Sequence, residues 1–312
     1  MAERISRRRL LGLAGASAAG AAGAGLAGRP ALADAAWAAG TSDLLNFVSR
    51  PDLKIPPIKV RRHGPVSGSR YIFLDVPYSG PGHGGTLIVD SAGRPVWFGP
   101  NTATEHKMDF NAQTLNGEPV LTWWQGLVVQ GHGEGEVVIA DSSYRVKRII
   151  KAHHGVKADL HEFVITPRNT ALISAYRTHS GVDLTALGGP ASGYLFSGVF
   201  QEIDIATGDL IFEWDSYDPV HPPVALTETY QPLDPGFGTQ AQPFDQFHIN
   251  SIDADANGDY IVSGRHTWTI YKISRTDGSI QWRLNGKNSD FTMGEGATFA
   301  GSTTSGRMAT AS

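Results

Sequence analysis

Hydrophobic and polar residues alternate in short runs along most of this chain, and turn-forming residues close the runs before a helical period can develop. Thr86 to Trp97 reads as two strands around Ser91-Ala-Gly93, and Val120 to Trp124, Gly135 to Asp141 and Arg145 to Ile150 read as three more. His161 to Arg177 and His248 to Arg265 share one plan: a strand that opens with His, a polar turn, and a return strand that ends in Arg. Each is followed by a second hairpin. Phe200 to Trp214 turns at Ala206-Thr-Gly-Asp209, and Ile270 to Trp282 turns at Thr276-Asp-Gly-Ser279. Period-two alternation bounded by Gly, Asn and Asp is the pattern of half-buried strands and tight hairpins.

Four strands per unit, repeated, predict an all-β chain folded as a β-propeller of four-stranded blades. A β-sandwich is the rival fold, and internal repetition disfavours it. The segments 178–199 and 215–247, rich in Gly, Pro and Thr, are predicted as long loops that overhang a channel mouth. The organisation expected is a leader over 1–33, a proline-punctuated lead-in over 34–69, a propeller domain over 70–300, and a tail over 301–312 without strand pattern.

Composition narrows the function. The 312 residues are 41% hydrophobic and 18% charged, with 37 glycines and 18 prolines, as suits a folded, turn-rich domain. The formal net charge is −4; without the leader, which holds five arginines and one glutamate, it is −8. A nucleic-acid partner would need a basic face and is not expected. There is no cysteine. That excludes disulfides, thiolate metal sites, a cysteine nucleophile and a lipidated cysteine. The leader reads Ser6-Arg-Arg-Arg-Leu-Leu11, then an Ala/Gly/Leu stretch ending at Ala31-Leu-Ala33. A basic start, an apolar middle and a small-x-small end predict a twin-arginine signal, export, and no stable membrane insertion after cleavage.

The first strand of each propeller blade lines the central axis, so residues at equivalent repeat positions converge. His161 and His248 are such a pair, as are Arg177 and Arg265, and Asn250 lies two residues beyond His248 on the same strand. Imidazoles, an amide and guanidinium forks facing one mouth form a site for a tetrahedral anion. The competing reading is a packing signature in which these groups bond blade carbonyls. His153-His154 is a lesser candidate in a Lys-Ala-His-His-Gly loop, and His83 and His132 read as surface residues of Gly-rich loops. No third ligand accompanies His161 and His248, so neither a metal nor a cofactor is predicted. The Gly-rich stretches do not join a strand to a helix, which leaves a phosphate-cradling loop without support.

Leu121-Thr-Trp-Trp-Gln-Gly126, Asp159-Leu-His-Glu-Phe163, Phe247-His-Ile-Asn-Ser251, Ser263-Gly-Arg-His266 and Ile280-Gln-Trp-Arg-Leu-Asn-Gly286 resemble the bacterial arylsulfotransferases and their actinobacterial and fungal relatives, over about Arg70 to Ala300. The resemblance implies a six-bladed propeller. Such a protein moves a sulfuryl group from a phenolic sulfate ester to a phenol, through a sulfohistidine and without an adenylyl-sulfate donor. It also implies that His161, His248, Asn250 and Arg265 bind the sulfate. The family's covalent histidine lies in a Gln-His-Asp segment after a strand matching Thr298-Phe-Ala300, where this sequence continues Gly301-Ser-Thr-Thr-Ser. The expectation is therefore a frameshifted or prematurely stopped chain that lacks that nucleophile and one or two blades. The partners expected are a small phenolic sulfate and a phenol. The alternative is a noncatalytic exported propeller that binds an anionic or aromatic ligand in its channel.

Overall fold

The computed structural model describes residues 44–61, 71–76, 82–220 and 223–301. The predicted leader, and the tail beyond Gly301, lie outside the described residues. The chain divides into two compact units that meet at Ala112 and Gln113.

In the first unit β1 (Leu45–Asn46) pairs with β2 (Lys54–Ile55), and β3 (Tyr71–Val76), β4 (Gly85–Asp90) and β5 (Pro95–Pro100) form a three-stranded antiparallel sheet. Leu53, Ile55, Val76, Leu87, Val89 and Phe98 make its core. The boundary falls within β6 (His106–Leu115).

The second unit holds the longer strands: β7 (Glu118–Val129), β8 (His132–Ala140), β9 (Val146–Ile150), β10 (Ala158–Ile165), β11 (Thr170–Val182), β12 (Gly193–Asp204) and β13 (Leu210–Asp215). They order as β13-β12-β11-β10-β8-β7-β6, with β9 on β8 and the two-residue β14 (Phe244–Asp245) lying parallel on β12. β15 (Ile249–Ala254), β16 (Tyr260–Gly264), β17 (Thr269–Ile273) and β18 (Ile280–Leu284) form a separate four-stranded antiparallel sheet. No α-helix occurs among the described residues, only 3₁₀ turns at Thr185–Leu187 and Leu226–Glu228. None of their helices is long and apolar enough to cross a membrane.

The predicted hairpins match these ladders strand for strand. The alternation that identified them also builds the core, which joins Leu172, Tyr176, Phe200 and Trp214 of one sheet to Ile249, Ile252, Tyr260, Val262 and Tyr271 of the other. The segment 178–199 corrects its loop expectation. Thr178 to Ser180 continue β11 and pair with Phe196 to Tyr194, so the hairpin extends well beyond Arg177. Among the described residues between 216 and 247 the chain is largely irregular, as expected, apart from one 3₁₀ turn and β14.

Candidate functional site

Two irregularities in the second unit set up its chemistry. Ala158 pairs with Ala175 and Phe163 with Ile173, so β10 advances five residues while β11 advances two. The surplus is a bulge that carries Asp159 and His161, and bulges re-aim side chains at sites. At the start of β15, His248 has φ 52°, a left-handed conformation that is costly for a residue with a Cβ. Asn250 is then the extra residue of a second bulge, since Ile249 pairs with Gly264 and Ser251 with Ser263. These departures interrupt the simple alternation on which a shared face for His248 and Asn250 was predicted. Asn250 is itself buried.

Both histidines are bound in the same way. Asp159 accepts from the His161 backbone N–H at 3.0 Å and from its Nδ1–H at 2.5 Å. Asp245 accepts from the His248 backbone N–H at 2.9 Å and from its Nδ1–H at 2.5 Å. A carboxylate only accepts, so each ring is fixed with Nδ1 as donor and Nε2 turned away. The rings lie 5.1 Å apart, centroid to centroid. His248 is 7% exposed and its Nε2 is buried without a hydrogen-bond partner. An unsatisfied buried imidazole nitrogen is costly unless a ligand or a reaction uses it.

Two further histidines complete the cluster. His266 donates Nδ1–H to the Asp245 backbone carbonyl at 2.7 Å, and its ring is 4.7 Å from that of His248. His132, predicted as a surface residue, is instead turned inward. Its Nε2–H donates to Asp245 Oδ2 at 3.0 Å, and its ring contacts those of Tyr176, Phe196 and His248 at 4.4, 4.9 and 5.1 Å. The cause is local. Gln130 and Gly131, both at positive φ, make a two-residue turn between Val129 and His132, which places His132 at the first position of β8. The next residue, Gly133, donates its N–H to Asp159 Oδ1 at 2.5 Å, and a Cβ there would meet the Leu160 backbone nitrogen at 2.4 Å. Only glycine permits that approach. One hairpin end therefore contacts both carboxylates.

The electrostatics follow from burial and pairing. Burial alone would push the Asp245 carboxyl up, but the N–H groups of His132 and His248 and the charges of His248 and His266 hold it well below the usual carboxylate range. Burial favours a neutral His132; the hydrogen bond to Asp245 and the charges of Asp245 and Asp159 outweigh it and raise this ring above its ordinary value. His266 is lowered, first by burial and then by the neighbouring charges of His248 and Arg265, against the pull of Asp245. Tyr176 is raised well above its ordinary value by burial and by the two aspartates. It donates its hydroxyl to the Ile249 carbonyl at 3.0 Å and stays neutral.

His132, Asp245 and His248 bring one ligand atom each within 4.8 Å of one another, close enough in principle for a cation. The Asp245 oxygen already accepts from both rings, so a metal would have to displace two hydrogen bonds. The chemistry of the cluster is that of a hydrogen-bonded relay.

Arg265 is exposed at the edge of this cluster, just past the end of β16, with its backbone N–H on the His248 carbonyl at 3.0 Å. Arg177 is not brought to the cluster, which corrects its placement. It sits within β11, one residue from Tyr176 and so on the opposite face. There its guanidinium binds Asp215 at 2.7 Å and Glu213 at 3.0 Å. The histidines of the 151–155 loop lie on that network too: Gln201 accepts the His153 backbone N–H, and His154 contacts Glu213 at 3.2 Å. His83, in the first unit, bonds the Lys54 backbone.

The second unit thus defines a class: an all-β domain of antiparallel sheets with an imidazole–carboxylate cluster at the bulged entrances of two strands. The sequence profile described as Arylsulfotransferase (ASST) matches residues 111–301. That span is more than half of the 312 residues and contains every member of the cluster, and the chain belongs to the arylsulfotransferase family. No curated protein matches the chain. Among solved structures it is similar to a protein of unknown function from Bacteroides caccae at 13% identity and a TM-score of 0.36, with 65% of this chain covered. The chain spans 56% of that structure's length, and a likeness this low carries no argument.

Proposed function

We propose that this protein transfers a sulfuryl group from a phenolic sulfate ester to a phenolic acceptor through a covalent histidine. Family membership supports the aryl sulfotransferase-like function, and the buried, unpartnered Nε2 of His248 is the observation that carries the mechanism. Within this cluster, His161 and His248 are the two rings whose Nδ1–H is held by a carboxylate oxygen at 2.5 Å. In the first half-reaction the Nε2 lone pair of one of them attacks sulfur, the S–O bond to the aryl oxygen breaks, and the phenolate leaves with the electron pair. The N-sulfonated ring is cationic, and the aspartate at its Nδ1–H stabilises it. In the second, an acceptor phenolate attacks sulfur and the N–S bond returns its pair to Nε2. Negative charge on the nonbridging oxygens is met by Arg265 and by the Asn250 amide, which is where such catalysis gains most. Phenols ionise near pH 10, so a phenolate leaves with modest help.

The reading extends to architecture and location. The four-stranded ladders β10–β13 and β15–β18 are blades of a propeller, His161 and His248 stand at the innermost strands of two of them, and the protein works outside the cytoplasm after export. Folded protein given nitrophenyl sulfate should release nitrophenolate at a rate that depends on added phenol. Folded protein that releases none, with or without phenol, overturns the reading.

A further inference from the structure

We propose that His132 is a positioning residue of this site: it holds the Asp245 carboxylate in place and through it pins His248 with Nε2 bare. The inference concerns the geometry of the free protein, and only its effect on rate rests on the transferase reading above. Three observations carry it. His132 is fixed before any ligand arrives, by the Gln130-Gly131 turn, by Gly133, and by the stacked pair of Tyr176 and Phe196, 4.7 Å apart, against which its ring stands edge to face. Asp245 is fixed by the parallel bridge of β14 to Phe196, and its Oδ2 accepts two N–H groups, one from His132 and one from His248. The remaining oxygen, Oδ1, is used by the His248 backbone N–H. Both oxygens of the carboxylate are thereby engaged, while the far nitrogen of His248 has no partner.

Removing His132 leaves Oδ2 with a single N–H partner in a largely desolvated place. A carboxylate so depleted gains a proton more easily. A protonated carboxyl can then donate to Nδ1, which moves the imidazole proton to Nε2 and closes the nitrogen that should be bare. The groups facing His132 are Asp245 on β14, Asp159 on β10, Tyr176 on β11, Phe196 on β12 and the His248 ring. Two of the five are acids, and the Asp245 hydrogen bond with the charges of Asp245 and Asp159 raises His132 above its ordinary value.

The test uses the full 312-residue chain with ¹⁵N-labelled histidine, followed by long-range ¹H–¹⁵N correlation from pH 5.5 to 9. The expected result is a His248 ring with Nδ1 protonated and Nε2 bare at pH 7.5, and a His132 that titrates above about 6.5. A His248 ring protonated at Nε2, or a His132 that titrates at or below that value, overturns the proposal whether or not any variant folds. His132→Gln should lose the His248 tautomer and lower kcat about 100-fold with little change in KM, as loss of alignment does. His132→Gln with wild-type kcat and tautomer overturns the proposal. Wild-type protein that shows the predicted tautomer yet transfers nothing retires the transferase reading and leaves the positioning role in place.

Discussion

Strand β11 carries two charged clusters on its two faces, and they differ in one respect that decides what each can do. Behind Arg177 and His179, the acids Glu213 and Asp215 are matched by Arg177, His154, His179 and the Gln201 amide, at 2.6 to 3.4 Å. Beside Tyr176, Asp159 and Asp245 are matched by three imidazoles through one nitrogen each, and one opposite nitrogen is buried bare. Both clusters contain histidines and two carboxylates. The first is saturated and holds a sheet edge together; the second keeps an electron pair in reserve. Residue type alone does not mark a reactive site. An unfilled valence in an otherwise complete network does.

The comparison is broken most readily at the carboxylates. Asp245→Asn should cut phenol-dependent transfer by roughly 10³–10⁴-fold, the scale seen when an imidazole loses the anion that sets its tautomer, while Asp215→Asn should leave turnover within about twofold. Equal losses from the two would mean that the faces are not functionally separate. His248→Asn should fold, because Asn tolerates the left-handed backbone, and should lose transfer as Asp245→Asn does; the readout is nitrophenolate release from protein with wild-type circular dichroism.

The arginines come next. Arg265→Ala should lower transfer about 10²-fold if its guanidinium meets the sulfuryl oxygens. Arg177→Ala should leave transfer unchanged and cost on the order of 1 kcal/mol in a denaturant titration, since its ion pairs are partly solvated. If Arg177→Ala costs activity and Arg265→Ala does not, the two arginines have been assigned to the wrong faces.

Acid sharpens the contrast further. Asp245 has its folded pKa depressed, so its contribution to stability is present above the ordinary value of 3.8 and is lost as pH falls through the folded value. His266 is also depressed, so its contribution is present above 6.5 and is lost as pH falls. His132 is raised; its contribution is present below 6.5 and is lost as pH rises through the folded value. Thermal melting between pH 5 and 8 should therefore change less in wild type than in either His132→Gln or His266→Gln, which tilt it in opposite directions. The smallest effect expected is at the tip of the β7–β8 hairpin. Val128→Thr, on an exposed residue four positions before His132, should move stability by about 0.5 kcal/mol or less.

Much of this was legible in the chain. The hairpins and the equivalent repeat positions of His161 and His248 follow from repetition, and the motif around Arg265 from the family resemblance. What escaped did so for geometric reasons. Arg177 was paired with Arg265 because each ends a repeat, but Arg265 lies beyond the last residue of β16 while Arg177 lies in mid-strand of the longer β11. In a pleated strand one residue is the difference between faces. His132 escaped because a Gly-rich turn reads as surface; its signal is the dipeptide Gln130-Gly131, which demands a tight hairpin and so fixes the direction of the next side chain. His266 stands within the Ser263-Gly-Arg-His motif, but nothing in the sequence ties its Nδ1–H to the Asp245 carbonyl. That link depends on the turn around His248.

Gly133 gives the site an evolutionary signature. Because the same two residues at the head of β8 meet Asp159 through a backbone N–H and Asp245 through an imidazole, neither aspartate–histidine pair can drift by itself. A change that relaxes one displaces the support of the other. Substitutions at Asp159 and Asp245 should then be epistatic, with a coupling of about 0.5–3 kcal/mol in a double-mutant cycle, so that the two repeats would tolerate change only together.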